Sequence, residues 1–158
     1  MDVSVKYFTF QKTPSLNSSM MVAKRVLESL EFTEDEIGGG KFRSKIINSL
    51  KSDFKHEDLD LLDKNTALIV QVSSPGGAFS KFLDAFLAFN NGEIEQCIFV
   101  TQTEAMAIRR NQIKNPKTTR DGHRIYFSNA KDTIGEYSES FLEMPIGILG
   151  IQTNRYLE

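Results

Sequence analysis

Three aspartates set among leucines, Asp58-Leu59-Asp60-Leu61-Leu62-Asp63, have the clearest capacity for chemistry in this chain. A carboxylate at the end of one hairpin strand, facing side chains of the next, sets a hard-cation ligand beside water and a phosphodiester. That is how a metal-assisted hydrolase is arranged. Asp60 is the candidate ligand, and the same spacing also suits acidic decoration of an edge strand and its turn. The second resource is charge. Between Arg109 and Arg124 stand Arg109, Arg110, Lys114, Lys117, Arg120 and Arg124, opposed only by Asp121, so this segment carries +5 while the rest of the chain carries −7. Such cations neutralise phosphates, and the interspersed Asn111, Gln112, Asn115, Thr118, Thr119 and His123 can hydrogen-bond base edges. A solvated surface loop is the plain alternative.

Other chemistries fall away. Gly38 to Ser44, G-G-G-K-F-R-S, lacks the G-x-x-x-x-G-K-[ST] spacing of a phosphate loop and follows no buried strand, so its glycines serve to end one helix and let backbone approach a partner. His56 and His123 are the only histidines and form no Ser-His-Asp or Cys-His arrangement. The one cysteine, Cys97, excludes an internal disulfide and a cysteine-based zinc cluster, which fits a reducing, cytoplasmic setting. A formal charge of −2 over 158 residues excludes a wholly basic, histone-like character, so a polyanion must meet a local patch. No apolar run reaches the ~18–20 residues needed to span a bilayer. The length predicts one domain over residues 1–158.

The elements that must position these groups follow from periodicity. Val3 to Phe10 nearly alternates and predicts a strand or extended arm. Met20, Ala23, Leu27 and Leu30 predict an amphipathic helix running to about Glu31. A second helix is expected from Lys41 to about Phe54, with Phe42, Ile46, Ile47, Leu50 and Phe54 inward and Lys41, Arg43, Lys45 and Lys51 outward. The acidic run and Ala67 to Val72 suit a hairpin turning at Asp63-Lys64-Asn65. Phe79, Phe82, Leu83, Phe86 and Leu87 fall on one helical face, and Asn90-Asn91-Gly92 closes that helix. Cys97 to Thr101 is a further buried strand, so strand, helix, strand predicts a right-handed crossover and a parallel pair. Beyond it, Thr103 to Thr119 reads as a short helix and a polar loop, Arg124 to Phe127 as extended, Ala130 to Phe141 as helix and Pro145 to Gln152 as strand.

The segment Asp58 to Ser74, D-L-D-L-L-D-K-N-T-A-L-I-V-Q-V-S-S, resembles the catalytic hairpin of the BglII and BstYI type of restriction endonucleases, within the PD-(D/E)XK nuclease fold. In that family D-x-D is followed without a gap by an E-V-Q core and Ser-Asn. The following helix, the I-F-V-T strand and M-P-I-G-I-L-G-I (Met144 to Ile151) resemble the family in order and approximate spacing, so the likeness runs from about Gly38 to Gln152. It implies an α/β fold with a restriction-endonuclease-like mixed β-sheet core flanked by helices. Asp60 falls on the family's metal-binding aspartate, and Gln71 on the glutamine that replaces the lysine of the wider fold. Val70 between them is implied to offer its carbonyl to a cation. Ser73 matches a serine near the base edges, and Ser74 stands where asparagine is usual.

One position departs. Ile69 occupies the place of the second catalytic carboxylate, and Asp84 is the only acidic residue between Lys64 and Gly92. An isoleucine neither ligates Mg²⁺ nor orients water. Asp84, on the polar side of the following helix, is either a migrated substitute carboxylate or a solvated helix residue. The resemblance therefore implies a DNA-binding protein with two readings open. In the first, a Mg²⁺-dependent endonuclease hydrolyses DNA phosphodiester bonds. Asp60 and the Val70 carbonyl hold the ion, Gln71 positions water, Asp84 assists, and the basic segment clamps double-stranded DNA within a homodimer. In the second, a catalytically silent relative of the fold acts as a DNA- or protein-binding accessory or antagonist.

Overall fold

The computed structural model describes residues 2–138 and 143–157. Strand β1 (Val3–Phe10) buries Val3 and Val5 on one face and exposes Ser4 and Lys6 on the other, as its alternation predicts. Helix α1 (Pro14–Glu28) starts sharply because the Thr13 hydroxyl accepts from the Leu16 N–H at 3.1 Å and proline opens its first turn. Its buried stripe is Leu16, Met20, Ala23 and Leu27. After a single 3₁₀ turn, Glu34–Ile37, helix α2 (Lys41–Leu50) buries Phe42, Ile46 and Leu50.

This helix ends four residues before the predicted limit. Lys51 takes extended backbone, and Ser52 donates both its N–H and its hydroxyl to the Leu61 carbonyl, 2.9 and 2.7 Å away. Those bonds tie the chain to the sheet and leave Phe54 exposed. Strands β2 (Lys55–His56), β3 (Leu59–Asp63) and β4 (Thr66–Val70) follow, then helix α3 (Pro75–Asn90) and strand β5 (Gln96–Gln102). Helix α4 (Glu104–Gln112) leads through a long loop to helix α5 (Phe127–Ser138) and strand β6 (Ile146–Thr153).

The six strands form one sheet in the order β1-β6-β5-β4-β3-β2. Its centre, β4-β5-β6, is parallel, and β1, β3 and β2 join antiparallel. The parallel β4-β5 pair bridged by α3 is the predicted crossover, and the whole is the predicted mixed sheet between helices. On one face α1, α2 and α4 pack over Leu68, Val70, Ile98, Val100, Leu149 and Ile151. On the other, α3 and α5 pack over Ala67, Ile69, Cys97, Phe99, Ile146 and Ile148. Both faces of the central strands are covered, so those strands read as continuous apolar runs.

Arg124 to Phe127, expected as extended, joins no strand ladder, and its last residue is already helical. Ile125 N–H donates to the Ser73 carbonyl at 2.7 Å, while the buried Gln102 and Thr101 side chains donate to the Ile125 carbonyl at 2.9 and 3.3 Å. Side chains thus do what a ladder would, and Phe127 already opens α5. The helix expected from Ala130 runs from there, and the part expected over residues 139–141 lies outside the described residues. Among the described residues no helix is long and apolar enough to cross a membrane.

Candidate functional site

Asp60 pairs with Leu68 and Leu61 with Ala67, but Asp63 pairs with Thr66, so the β3-β4 register slips by one at Leu62. Side chains alternate faces along a strand, and one extra residue turns everything beyond it over. Without the slip Asp60 would lie opposite Ile69. With it, Asp60 shares the face of Leu68, beneath α2, while Leu59, Leu61 and Ile69 face α3. The expected metal ligand and the expected carboxylate position are therefore on opposite sides of the sheet.

The α2 face brings cations to both atoms expected to hold Mg²⁺. Arg43 Nε donates to the Val70 carbonyl at 2.9 Å, and Lys51 Nζ lies 3.7 Å from Asp60 Oδ1. Arg43 reaches Val70 where β3 has given way to a turn, so no ladder partner competes for that carbonyl. Ile69 is 3% exposed, among Phe82, Phe99 and their neighbours. Gln71 follows it on the α3 face. A Cβ added at Gly77 would come within 2.5 Å of Gln71 Nε2, so the first turn of α3 must be glycine for Gln71 to lie against it. Asp84 is exposed and lines a separate cleft of about 220 Å³ with His56, Asp58 and Glu93, in which His56 Nε2 pairs with the Glu93 carboxylate.

These donors do not fit Mg²⁺, which requires converging oxygens free of competing cations. Asp60 and Val70 already face a lysine and an arginine, Ile69 offers no oxygen, and Gln71 and Asp84 lie on the other side. The described residues hold no group of three or more His, Cys, Asp or Glu side chains able to take a metal ion. Arg43 and Lys51 had been legible only as the polar face of α2. No sequence signal marks the carbonyl Arg43 reaches, 27 residues away.

The basic segment divides in two. Arg110, expected on DNA, is 4% exposed. Its Nε donates to the Ile37 carbonyl at 2.8 Å, one terminal nitrogen to Val72 O and Gln102 Oε1 at 3.2 and 2.7 Å, and the other to Gly39 O at 2.9 Å. It also lies over the Phe42 ring, 4.9 Å from the centroid. Burial, and then the nearby Arg124 charge, bring its pKa down to about 10. Within the glycine run, Gly39 takes φ +57 and its carbonyl accepts from this arginine, while Gly38 packs against Ile113. Arg109 is engaged as well, by the Tyr156 carbonyl at 2.8 Å and Glu34 at 3.1 Å. Two of the six cations hold the fold.

Lys114, Lys117 and Arg120 are exposed and Arg124 is half-buried, and none of the four has an ion-pair partner among the described residues. Their loop is shaped from α4. Asn111 Nδ2 donates to Arg120 O and Gln112 Nε2 to Thr118 O, so these amides brace the loop. Gly122, at φ +66, fits against Asn111 where a Cβ would press at 3.2 Å. The loop then returns to Ser73 through Ile125, beside exposed Ser73 and Ser74 at the C-terminal end of β4. That bond brings Arg124, the residue before Ile125, next to the predicted DNA-contacting Ser73 and Ser74.

The strand order and the two helical layers define a restriction-endonuclease-like fold. A crystal structure of the restriction endonuclease BglII complexed with a DNA 16-mer superposes on this chain with a TM-score of 0.61 and 11% sequence identity, covering 93% of this chain and 75% of that one. No family model matches the chain, and no curated protein matches its sequence. The likeness is one of fold, as the hairpin resemblance implies, and function must be argued from the site.

Proposed function

We propose that this protein is a restriction-endonuclease-fold DNA binder that does not cut. One observation carries the reading. Arg43 and Lys51, part of the chain itself, stand at the carbonyl and the carboxylate where a nuclease of this fold would hold its cation. Ile69 is buried in the apolar layer, and among the described residues no group of three or more acidic, His or Cys side chains could hold a metal ion. Hydrolysis needs a metal or base to activate water and stabilise the leaving oxygen, and these residues supply neither. Binding has other means. Lys114, Lys117, Arg120 and Arg124 form a fixed cationic loop beside Ser73 and Ser74, suited to phosphate contacts that position a duplex. A symmetric dimer would present two such loops to two half-sites.

Fluorescence anisotropy of a labelled duplex tests this. Binding is expected with EDTA as with Mg²⁺, weakening steeply as salt rises, and lost in Lys114→Glu/Lys117→Glu/Arg120→Glu with the thermal midpoint unchanged. Affinity indifferent to those reversals would overturn the reading, and so would cleavage of the duplex on adding Mg²⁺.

A further inference from the structure

We infer a second binding surface, lined by none of the basic-loop residues and independent of the DNA reading. An acidic, extended segment of a partner protein is added as a seventh strand at β1. Three observations converge. First, among the described residues β1 pairs only with β6 and forms one border of the sheet. Asn154 N–H donates to the Asp2 carbonyl, and the register Val3↔Thr153 continues that pairing along the strand. Inward and outward residues alternate in an antiparallel pair, so Val3, Val5, Tyr7 and Thr9 turn their N–H and C=O groups to the open edge. An eight-residue edge is long enough to template another chain.

Second, a groove of about 560 Å³ runs between this edge and α1. Lys12, Lys24 and Arg25 line it against a single carboxylate, Glu28, which Lys24 meets only at 3.8 Å. Its net charge of +2 favours an acidic occupant. Third, the groove has apolar, exposed ends. Tyr7 is 59% exposed and Met21 55%, and Lys24 lies 5.3 Å from the Tyr7 ring centroid. Lys6, which on an edge would discourage pairing, projects from the opposite face by the strand's alternation. Backbone groups, cations and apolar side chains in one strip match a peptide that alternates acidic and apolar residues. A nucleic-acid strand would use the cations and leave the strand edge unpaired.

The probe is a labelled, acetylated decapeptide alternating glutamate and valine, with the lysine–valine counterpart as control, read by anisotropy. Thr9→Pro removes an N–H that faces away from β6, so it blocks strand addition without breaking the sheet. Lys24→Glu/Arg25→Glu reverses charge on the exposed helix and supplies a second test should the proline variant fold poorly. The glutamate peptide is expected to bind, the lysine peptide not, and each variant to weaken binding at least tenfold with duplex binding unchanged. Four results would overturn the inference. They are no binding of the glutamate peptide, equal binding by both variants, displacement of the peptide by a single-stranded oligonucleotide, and self-association abolished by Thr9→Pro in place of peptide binding.

Discussion

Arg110 and Arg120 belong to one cationic run, yet the first is buried among four oxygen acceptors and the second stands in solvent on a braced loop. The same contrast recurs within three residues at the C-terminal end of β4. At Asp60 and Val70 the chain answers oxygen with its own cations, whereas the cations of the loop tied to Ser73 have no ion-pair partner among the described residues. A cation matched internally contributes to the fold. One left without a partner offers its charge to a phosphate. The difference between the two regions separates the nuclease scaffold from nuclease chemistry.

The largest expected effect lies on the matched side. Arg110→Leu strips the donors from the Ile37, Gly39 and Val72 carbonyls and Gln102 Oε1 at once. It should cost roughly 3–5 kcal/mol in urea unfolding, because buried acceptors left unpaired bear their full desolvation penalty. Arg110→Lys should recover only part, having no planar fork. If Arg110→Leu unfolds with the wild-type midpoint, the matched half of the comparison is broken. Next comes Ile69→Glu, which restores the family's carboxylate on paper. Since that position is 3% exposed and faces away from Asp60, the change should cost about 3 kcal/mol and confer no plasmid nicking.

On the unmatched side the expectation reverses. Lys117→Ala and Arg120→Ala should leave stability within about 0.5 kcal/mol, yet each should lower the salt-dependence slope of duplex binding by about 1. A stability loss with no change in slope would place these residues with Arg110. Smallest of all, Asp60→Asn should shift unfolding by about 0.5 kcal/mol at most, since its lysine partner is 47% exposed and surface pairs contribute little.

Much of this architecture was legible because it rests on local periodicity. The apolar runs of β4 and β5 and the intervening helix specify a parallel crossover without reference to distant residues, but the face that α3 buries is Ala78, Phe82, Ala85 and Ala88, and Phe79 and Leu87 of the expected stripe are exposed. The polarised charge between Arg109 and Arg124 was legible by simple count. What escaped depends on pairing at long range. Nothing in D-L-D-L-L-D announces that Leu62 is the bulged residue, yet that one slip decides which face Asp60 occupies. An arginine in a charged run reads as solvated, so the burial of Arg110 against the glycine turn was invisible until α4 met Ile37 and Gly39. Asn111 and Gln112 looked fit to read bases and instead brace the loop, because only the fold brings the 118 and 120 carbonyls within their reach.

The most direct test is supercoiled-plasmid nicking in Mg²⁺ and in Mn²⁺, run on wild type and Asp60→Ala alongside a binding assay on the same DNA. The expected result is that both proteins bind and that neither converts supercoiled to open-circular DNA above the buffer control. Metal-dependent nicking by wild type that disappears in Asp60→Ala would contradict it, since Asp60 would then be serving a metal and not Lys51.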